Sequence, residues 1–257
     1  MEKMVEKAKE LCSGAQRALV TGAAKRIGRS IALGLAQAGY DVALHCNRSR
    51  AEAEDVAAHI AAMGRRACIV VGDLSAGDKV SAIVEEAHAG IGVLDLLVNS
   101  ASMFEADGVG TLRAQVWNRQ FAVNAQAPIF LAQAFAAQVD PRACDPSIVN
   151  LIDQRVLHPR PDYVSYYLSK SVLHVATQTL AQALAPRIRV NGIGPGPTLQ
   201  AASQTPEEFA AEAAGTPLGH GSAVEDIVEA VLYLARARSV SGQMIAVDGG
   251  QHLAWAE

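Results

Sequence analysis

Two side chains one helical turn apart, Tyr166 and Lys170 in Tyr166-Tyr167-Leu168-Ser169-Lys170, have the types and spacing to move a proton. Positions i and i+4 share a helix face. A cationic amine beside a phenol favours the phenolate, so the pair predicts a tyrosine pKa drawn from about 10 toward neutrality, as a general acid requires. The ordinary alternative is a structural Tyr–Lys contact. Its weight falls because the pair lies on the helix after the fifth predicted strand.

A second group of residues suits phosphate. Thr21-Gly22-Ala23-Ala24-Lys25-Arg26-Ile27-Gly28 joins the first predicted strand to the first predicted helix. Glycine there lets backbone approach a pyrophosphate, and the helix start offers unpaired N–H groups and a positive dipole end. About twenty residues on, a carboxylate would bind an adenosine ribose. The chain instead reads His45-Cys46-Asn47-Arg48-Ser49, with no acid between Val42 and Ala51. With Lys25 and Arg26 in the loop, the neighbourhood is cationic and suits a 2′-phosphate, so NADPH is expected rather than NADH. Two more strand ends belong to this surface. Asp73, in Gly72-Asp73-Leu74, is placed to accept from an adenine amino group or to cap the next helix; Asn99 opens Asn99-Ser100-Ala101-Ser102.

The frame for these residues comes from short β-rich runs alternating with longer helical ones. Strands are predicted at residues 17–21, 42–46, 67–71, 94–98, 147–152, 188–193 and 244–247. Helices are read from Ile27, Ile31 and Leu35 closed by Gly39, from Val56, Ile60 and Met63 closed by Gly64, and from Val80 and Val84. Further helices cover 163–185 and 224–237, and a long one covers 111–137, where Pro128 should kink or interrupt it. Such alternation implies parallel pairing through right-handed crossovers: a single α/β domain, a doubly wound three-layer sandwich.

Composition narrows the class. Twenty-two Lys and Arg against 26 Asp and Glu leave a net charge of −4, and half the chain is hydrophobic. A disordered chain is excluded, and nucleic acid is not an expected partner, since its binding needs clustered cations. Cys12, Cys46, Cys68 and Cys144 form no Cys-x-x-Cys pair, so neither a metal site nor a disulfide framework is expected. The first 14 residues are too charged for a signal peptide, and no apolar run reaches membrane length. A cytoplasmic protein without a membrane partner is expected.

From about residue 16 to residue 250 the chain resembles the short-chain dehydrogenases/reductases. The resemblance rests on the glycine loop, Asp73, the Asn99 run, Asn124, the Tyr166/Lys170 pair, Pro195-Gly196 and the closing Val247-Asp248-Gly249-Gly250. It implies that Asn124 anchors a proton-relay water near Lys170, that Lys170 bonds the nicotinamide ribose, and that Pro195, Gly196 and Thr198 border the nicotinamide. It also implies a substrate lid near residues 198–220, a domain spanning 16–257 after an extension of residues 1–15, and a homotetramer. Pro206 at the head of Glu207, Glu208 and Phe209 marks a short helix in the lid, and the tail His252-Leu253-Ala254-Trp255 is expected to dock on a neighbouring subunit.

Two departures point to a subgroup. Arg26 stands where the family usually has glycine, and Asp153 ends the fifth strand where it usually has a catalytic serine. Both fit the pteridine reductases and bacterial dihydromonapterin/dihydrofolate reductases, as do the stretch from His45 to Ser49 and the run Asn99, Ser100, Ala101, Ser102 with Phe104. Ser100 replaces the asparagine more usual there. A dihydropterin presents a basic ring nitrogen that must gain a proton as hydride reaches the neighbouring carbon, and a carboxyl at Asp153 beside Tyr166 suits that task. Phe104 would stack one pterin face, with Ser102 and Arg26 contacting pterin and cofactor. The resemblance thus implies NADPH-dependent reduction of a 7,8-dihydropterin. Its rivals are a carbonyl reductase of the same family and a regulator that binds NADP without chemistry.

Overall fold

The computed structural model describes residues 15–139, 145–201 and 204–254. The N-terminal extension up to residue 14, with Cys12, and also Cys144 and Trp255 lie outside the described residues.

Seven strands form one sheet in the order β3-β2-β1-β4-β5-β6-β7, every neighbouring pair parallel. They are β1 (Arg17–Val20), β2 (Asp41–Cys46), β3 (Ala67–Val71), β4 (Leu96–Asn99), β5 (Ser147–Leu151), β6 (Arg189–Pro195) and β7 (Met244–Val247). The inner strands β2, β4 and β5 are buried at every residue, while the edge strand β7 is only half-buried. Parallel sheets have that profile when helices cover both faces.

On one face pack α1 (Arg26–Gln37), α2 (Arg50–Ala62) and α8 (Val224–Arg236), through Ile31, Leu35, Val56, Ile60, Ile227, Val231 and Leu234. On the other pack α3 (Ser81–Ile91), α5 (Ala127–Gln138) and α6 (Val164–Leu184), through Ile83, Val84, Leu131, Phe135 and Ala181. Gly39 follows α1 at φ +99°, the left-handed stop its position predicts. The helix expected over 111–137 starts later, as α4 (Ala114–Phe121), and passes through one π-helical turn (Ala122–Gln126) before α5. Pro128 supplies the reason. It has no N–H to offer the Asn124 carbonyl at α-helical spacing, and a π-turn absorbs the break without a kink. The segment expected to form a lid carries α7 (Pro206–Ala214), entered through a full capping box in which the Glu208 N–H donates to Thr205 Oγ1 and the Thr205 N–H to Glu208 Oε2. Among the described residues, no helix is long and apolar enough to cross a membrane.

Strand order reverses between β1 and β4, and there the carboxyl ends open a crevice for ligands. The loops that carry the expected chemistry all leave from that side of the sheet.

Candidate active site

The crevice begins at Thr21, whose buried hydroxyl accepts from the Ser100 and Ala101 N–H groups at 3.0 Å each. That staple brings the β4 loop against Gly22, which has φ +67° and room for no side chain: an added Cβ would meet Ala101 Cα at 3.0 Å. At Gly28 the fit is tighter still, since a Cβ there would lie 2.2 Å from the Gly22 carbonyl oxygen. Lys25 precedes α1 without a side-chain cap, leaving the first N–H groups of the helix for an anion. This cradle fits a pyrophosphate.

Beside the cradle lies a groove of about 390 Å³, whose walls include Gly22, Ile27, Gly28, His45, Asn47, Asp73, Leu74, Ala101 and Arg119. Asp73 accepts from both the N–H and hydroxyl of Ser75, bonds that hold its carboxyl below the ordinary carboxylate range. It is therefore a turn-capping group as well as a wall of the groove. Nothing local in the sequence marks Arg119, a helix cation, as facing this loop.

Several side chains expected on this side have partners within the protein. Lys25 is not a free cation, since its amine pairs with Glu52 at 2.7 Å. Arg26 has φ +52°, the left-handed backbone that explains the family's glycine, and its guanidinium donates to the Leu199 and Gln200 carbonyls at 3.1 and 3.0 Å. His45 is buried: Nδ1 accepts from the Gly22 N–H at 3.3 Å and Nε2 faces the Gly72 carbonyl at 3.1 Å. Those partners require the neutral Nε2–H tautomer, and burial lowers its pKa to about 4. It staples the phosphate turn to the end of β3 and brings no charge. Arg48 remains exposed, with no carboxylate paired to it among the described residues; it and Ser49 stand outside the groove wall. Asn99 is scaffold, buried and donating to Asn150 Oδ1 at 2.8 Å across β4 and β5.

The second cavity, of about 630 Å³, adjoins the first and is walled by Ile27, Ser102, Phe104, Asp153, Tyr166, Lys170, Pro195, Gly196 and Thr198, among others. Tyr166 donates its phenol hydrogen to Asp153 Oδ2 at 2.8 Å, while Asp153 Oδ1 accepts from the Arg155 N–H at 2.9 Å. One face of Asp153 opens on the cavity, yet burial by the surrounding protein raises its pKa above the ordinary aspartate value. Tyr166 is not lowered, as the Tyr–Lys spacing predicts, but raised: burial comes first, then the neighbouring Asp153 charge and the bond to it. Lys170 is turned elsewhere, donating to the Leu151 carbonyl at 2.7 Å, and burial brings its pKa down to about 8. Two acids sharing one hydrogen bond, both biased toward their protonated forms, hold a proton where a basic acceptor in the cavity meets it.

Asn124 sits in the π-turn with its side chain fully engaged. Oδ1 accepts from the Met103 N–H at 2.7 Å and the Ser102 hydroxyl at 3.2 Å; Nδ2 donates to the Met103 carbonyl at 2.9 Å and Ser169 Oγ at 3.0 Å. The side chain thus pins Ser102 and α6. Phe104 stacks on Tyr163 at 4.4 Å with an interplanar angle of 9°, and meets Tyr166 edge-on at 4.7 Å. Tyr163, with φ +55°, was legible only as a helix start.

A dinucleotide-shaped crevice joined to an Asp/Tyr proton site defines a nucleotide-dependent oxidoreductase. Residues 22–252 match the family profile described as enoyl-(acyl carrier protein) reductase, and the chain belongs to the short-chain dehydrogenase/reductase family. Pteridine reductase 1 of Leishmania tarentolae is 33% identical, over 92% of this chain and 96% of its own. L-xylulose reductase of Bos taurus is 32% identical, over 91% and 96%. The crystal structure of FolM alternative dihydrofolate reductase 1 from Brucella canis, complexed with NADP, is 46% identical with a TM-score of 0.91, covering 94% of this chain and 96% of that one.

Proposed function

We propose that the protein is an NADPH-dependent reductase that converts a 7,8-dihydropterin, such as dihydromonapterin or dihydrofolate, to the tetrahydro form. The observation that carries the reading is the carboxyl of Asp153 hydrogen-bonded to the Tyr166 phenol at 2.8 Å, where a ketone reductase of this family places a serine hydroxyl. The hydride for C6 would come from NADPH held in the crevice. The ring nitrogen N5 would gain its proton from the Asp153–Tyr166 pair, in which burial biases both groups toward their protonated forms. Phe104, backed by Tyr163, offers its outer face to the pterin ring. Lys170 bonds the nicotinamide ribose, Pro195, Gly196 and Thr198 border the nicotinamide, and Ser102 and Arg26 meet the polar edges of pterin and cofactor. The likeness to the NADP complex of FolM supports the cofactor, and the absence of an acid after β2 supports the phosphorylated form.

The test is NADPH oxidation with dihydromonapterin and dihydrofolate beside a panel of ketones. Turnover of either dihydropterin is expected; no turnover with both, beside robust ketone reduction, rejects the reading. Arg48 and Asn47 are assigned to the 2′-phosphate, so Arg48→Ala is expected to raise KM for NADPH by about tenfold or more, the scale of one charge-assisted hydrogen bond, with KM for NADH unmoved. Equal effects on both cofactors would reject that assignment. A homotetramer belongs to the same reading. On α6, Leu168, Val172 and Val175 are exposed at i, i+4 and i+7 spacing, a face suited to a second subunit, and sedimentation at the monomer mass would reject it.

A further inference from the structure

Four cationic side chains line the reaction cavity: Arg26, Arg155, Arg160 and Lys170. Each already has a partner. Arg26 donates to the Leu199 and Gln200 carbonyls, and Lys170 to the Leu151 carbonyl. Arg160 lies 3.9 Å from Asp162, and Arg155 donates to Glu212 Oε1 at 2.8 Å. Arg155 also reaches the Tyr167 hydroxyl, which fixes the guanidinium between α6 and α7.

Glu212 is the centre of this arrangement. Besides Arg155, it accepts from Gln251 Nε2 at 3.2 Å and from Gln204 Nε2 at 2.8 Å. Burial would raise its carboxyl, but those hydrogen bonds and the Arg155 charge bring it below the ordinary glutamate value, so it stays ionised. The bonds also orient the neighbouring amides. Gln251 must turn Nε2 to Glu212, so its Oε1 faces Gln154, which donates at 2.7 Å. Within the cluster the Arg155 charge is matched by that of Glu212, while Gln154 Oε1 is buried without a partner.

Its position relative to the reaction decides what that means. Arg155 is two residues from Asp153 and its N–H holds Asp153 Oδ1. In a dihydropterin the substituent that distinguishes one compound from another hangs on C6, the carbon bonded to N5. With N5 seated at Asp153 and Tyr166, that substituent lies in the same cavity, whose walls also hold Arg155, Gln204, Phe209 and Glu212, and the proposal places it against them.

We infer that Glu212, by neutralising Arg155 beside the reacting bond, selects dihydropterins whose C6 substituent is uncharged and rejects those with a carboxylate close to the ring. The inference rests on the dihydropterin reading above. A carboxylate there gives up its water and finds Arg155 already paired with Glu212, so its desolvation goes uncompensated at that wall, which is worth about tenfold in affinity.

Two stable oxidised pterins of nearly equal size test this by calorimetry on NADP-saturated protein: 6-hydroxymethylpterin and pterin-6-carboxylate. The hydroxymethyl compound is expected to bind about tenfold more tightly or better. Glu212→Gln frees Arg155 and is expected to close or invert that gap, by tightening the carboxylate; Glu212→Asp keeps the charge and the gap. A merely structural role would weaken both ligands together. Equal affinity of the two pterins for the wild-type protein overturns the inference without any variant, as does a Glu212→Gln protein that loses both equally. Binding of neither pterin, with NADP bound normally, rejects the dihydropterin reading and this inference with it. Tight binding of 6-hydroxymethylpterin without discrimination rejects the inference alone.

Discussion

Asp153→Asn is expected to lower kcat for dihydropterin reduction by about 10²-fold or more while leaving the Kd for NADPH within a factor of a few. The amide keeps the shape of the carboxyl and can still accept from the Tyr166 hydroxyl, but it has no proton to give. The pH profile makes the role specific. The protonated form of the pair is the donor, so the wild-type rate falls as pH rises through the Asp153 pKa. Burial raises that pKa, and the active form therefore persists to higher pH than an aspartate in water would allow. In Asp153→Asn this limb disappears, and the residual rate is flat over the range where the wild type declines. Tyr166→Phe is expected to cost a similar factor. The double variant costs little more than either single one, because both belong to one proton path. An Asp153→Asn enzyme with wild-type kcat and an unchanged pH limb would remove the carboxyl from the chemistry. Asp153→Ser separates the rival: a carbonyl reductase keeps or gains ketone turnover with serine, whereas a pterin reductase loses its reaction.

The strands, the glycine turn and the residues Asp153, Tyr166 and Lys170 were legible because each is encoded locally. Hydrophobic period shows β2 and α1, a Gly-rich turn between strand and helix shows the anion cradle, and a four-residue spacing shows the shared helix face. What the chain does not reveal is which distant groups meet. Lys25 looks like a phosphate cation until the fold places Glu52 beside it, and Arg155 and Glu212 pair across 57 positions of sequence. His45 and Asn99 sit where cofactor contacts are expected, yet burial makes one a neutral staple and the other a tie between strands. The direction of the Tyr166 shift failed for a related reason. Spacing places Lys170 on the same face, but the outcome depends on where the amine turns and on how deeply the phenol is desolvated, and both are tertiary properties. Pro128 is the intermediate case. A broken helix is readable from it, whereas a π-turn that presents Asn124 to Ser102 and Ser169 is not.

Gly28→Ala carries the second large effect, and it falls on binding. The added methyl would stand 2.2 Å from the Gly22 carbonyl oxygen, far inside van der Waals contact, and the obstacle is backbone that no rotamer change can move. Relief requires the turn from Gly22 to Gly28 to open by about an ångström, a displacement on which oriented binding loses about 10²-fold. Gly22 has little freedom to yield, being held at φ +67° against Ala101 and tied through its N–H to His45. The N–H groups at the start of α1 then no longer converge on one anion, and the dipole end of the helix is re-aimed with them. Fluorescence titration should show NADPH affinity down by about 10²-fold, with KM for the dihydropterin little changed at saturating cofactor. Gly64→Ala is the control. Gly64 also has a left-handed backbone, φ +74°, but nothing lies within 4 Å of its missing Cβ. It is expected to cost about 1 kcal/mol of stability through strain alone and to leave NADPH affinity untouched. If both variants lose stability alike and neither loses NADPH, the turn after β1 is structural punctuation and the cofactor lies elsewhere.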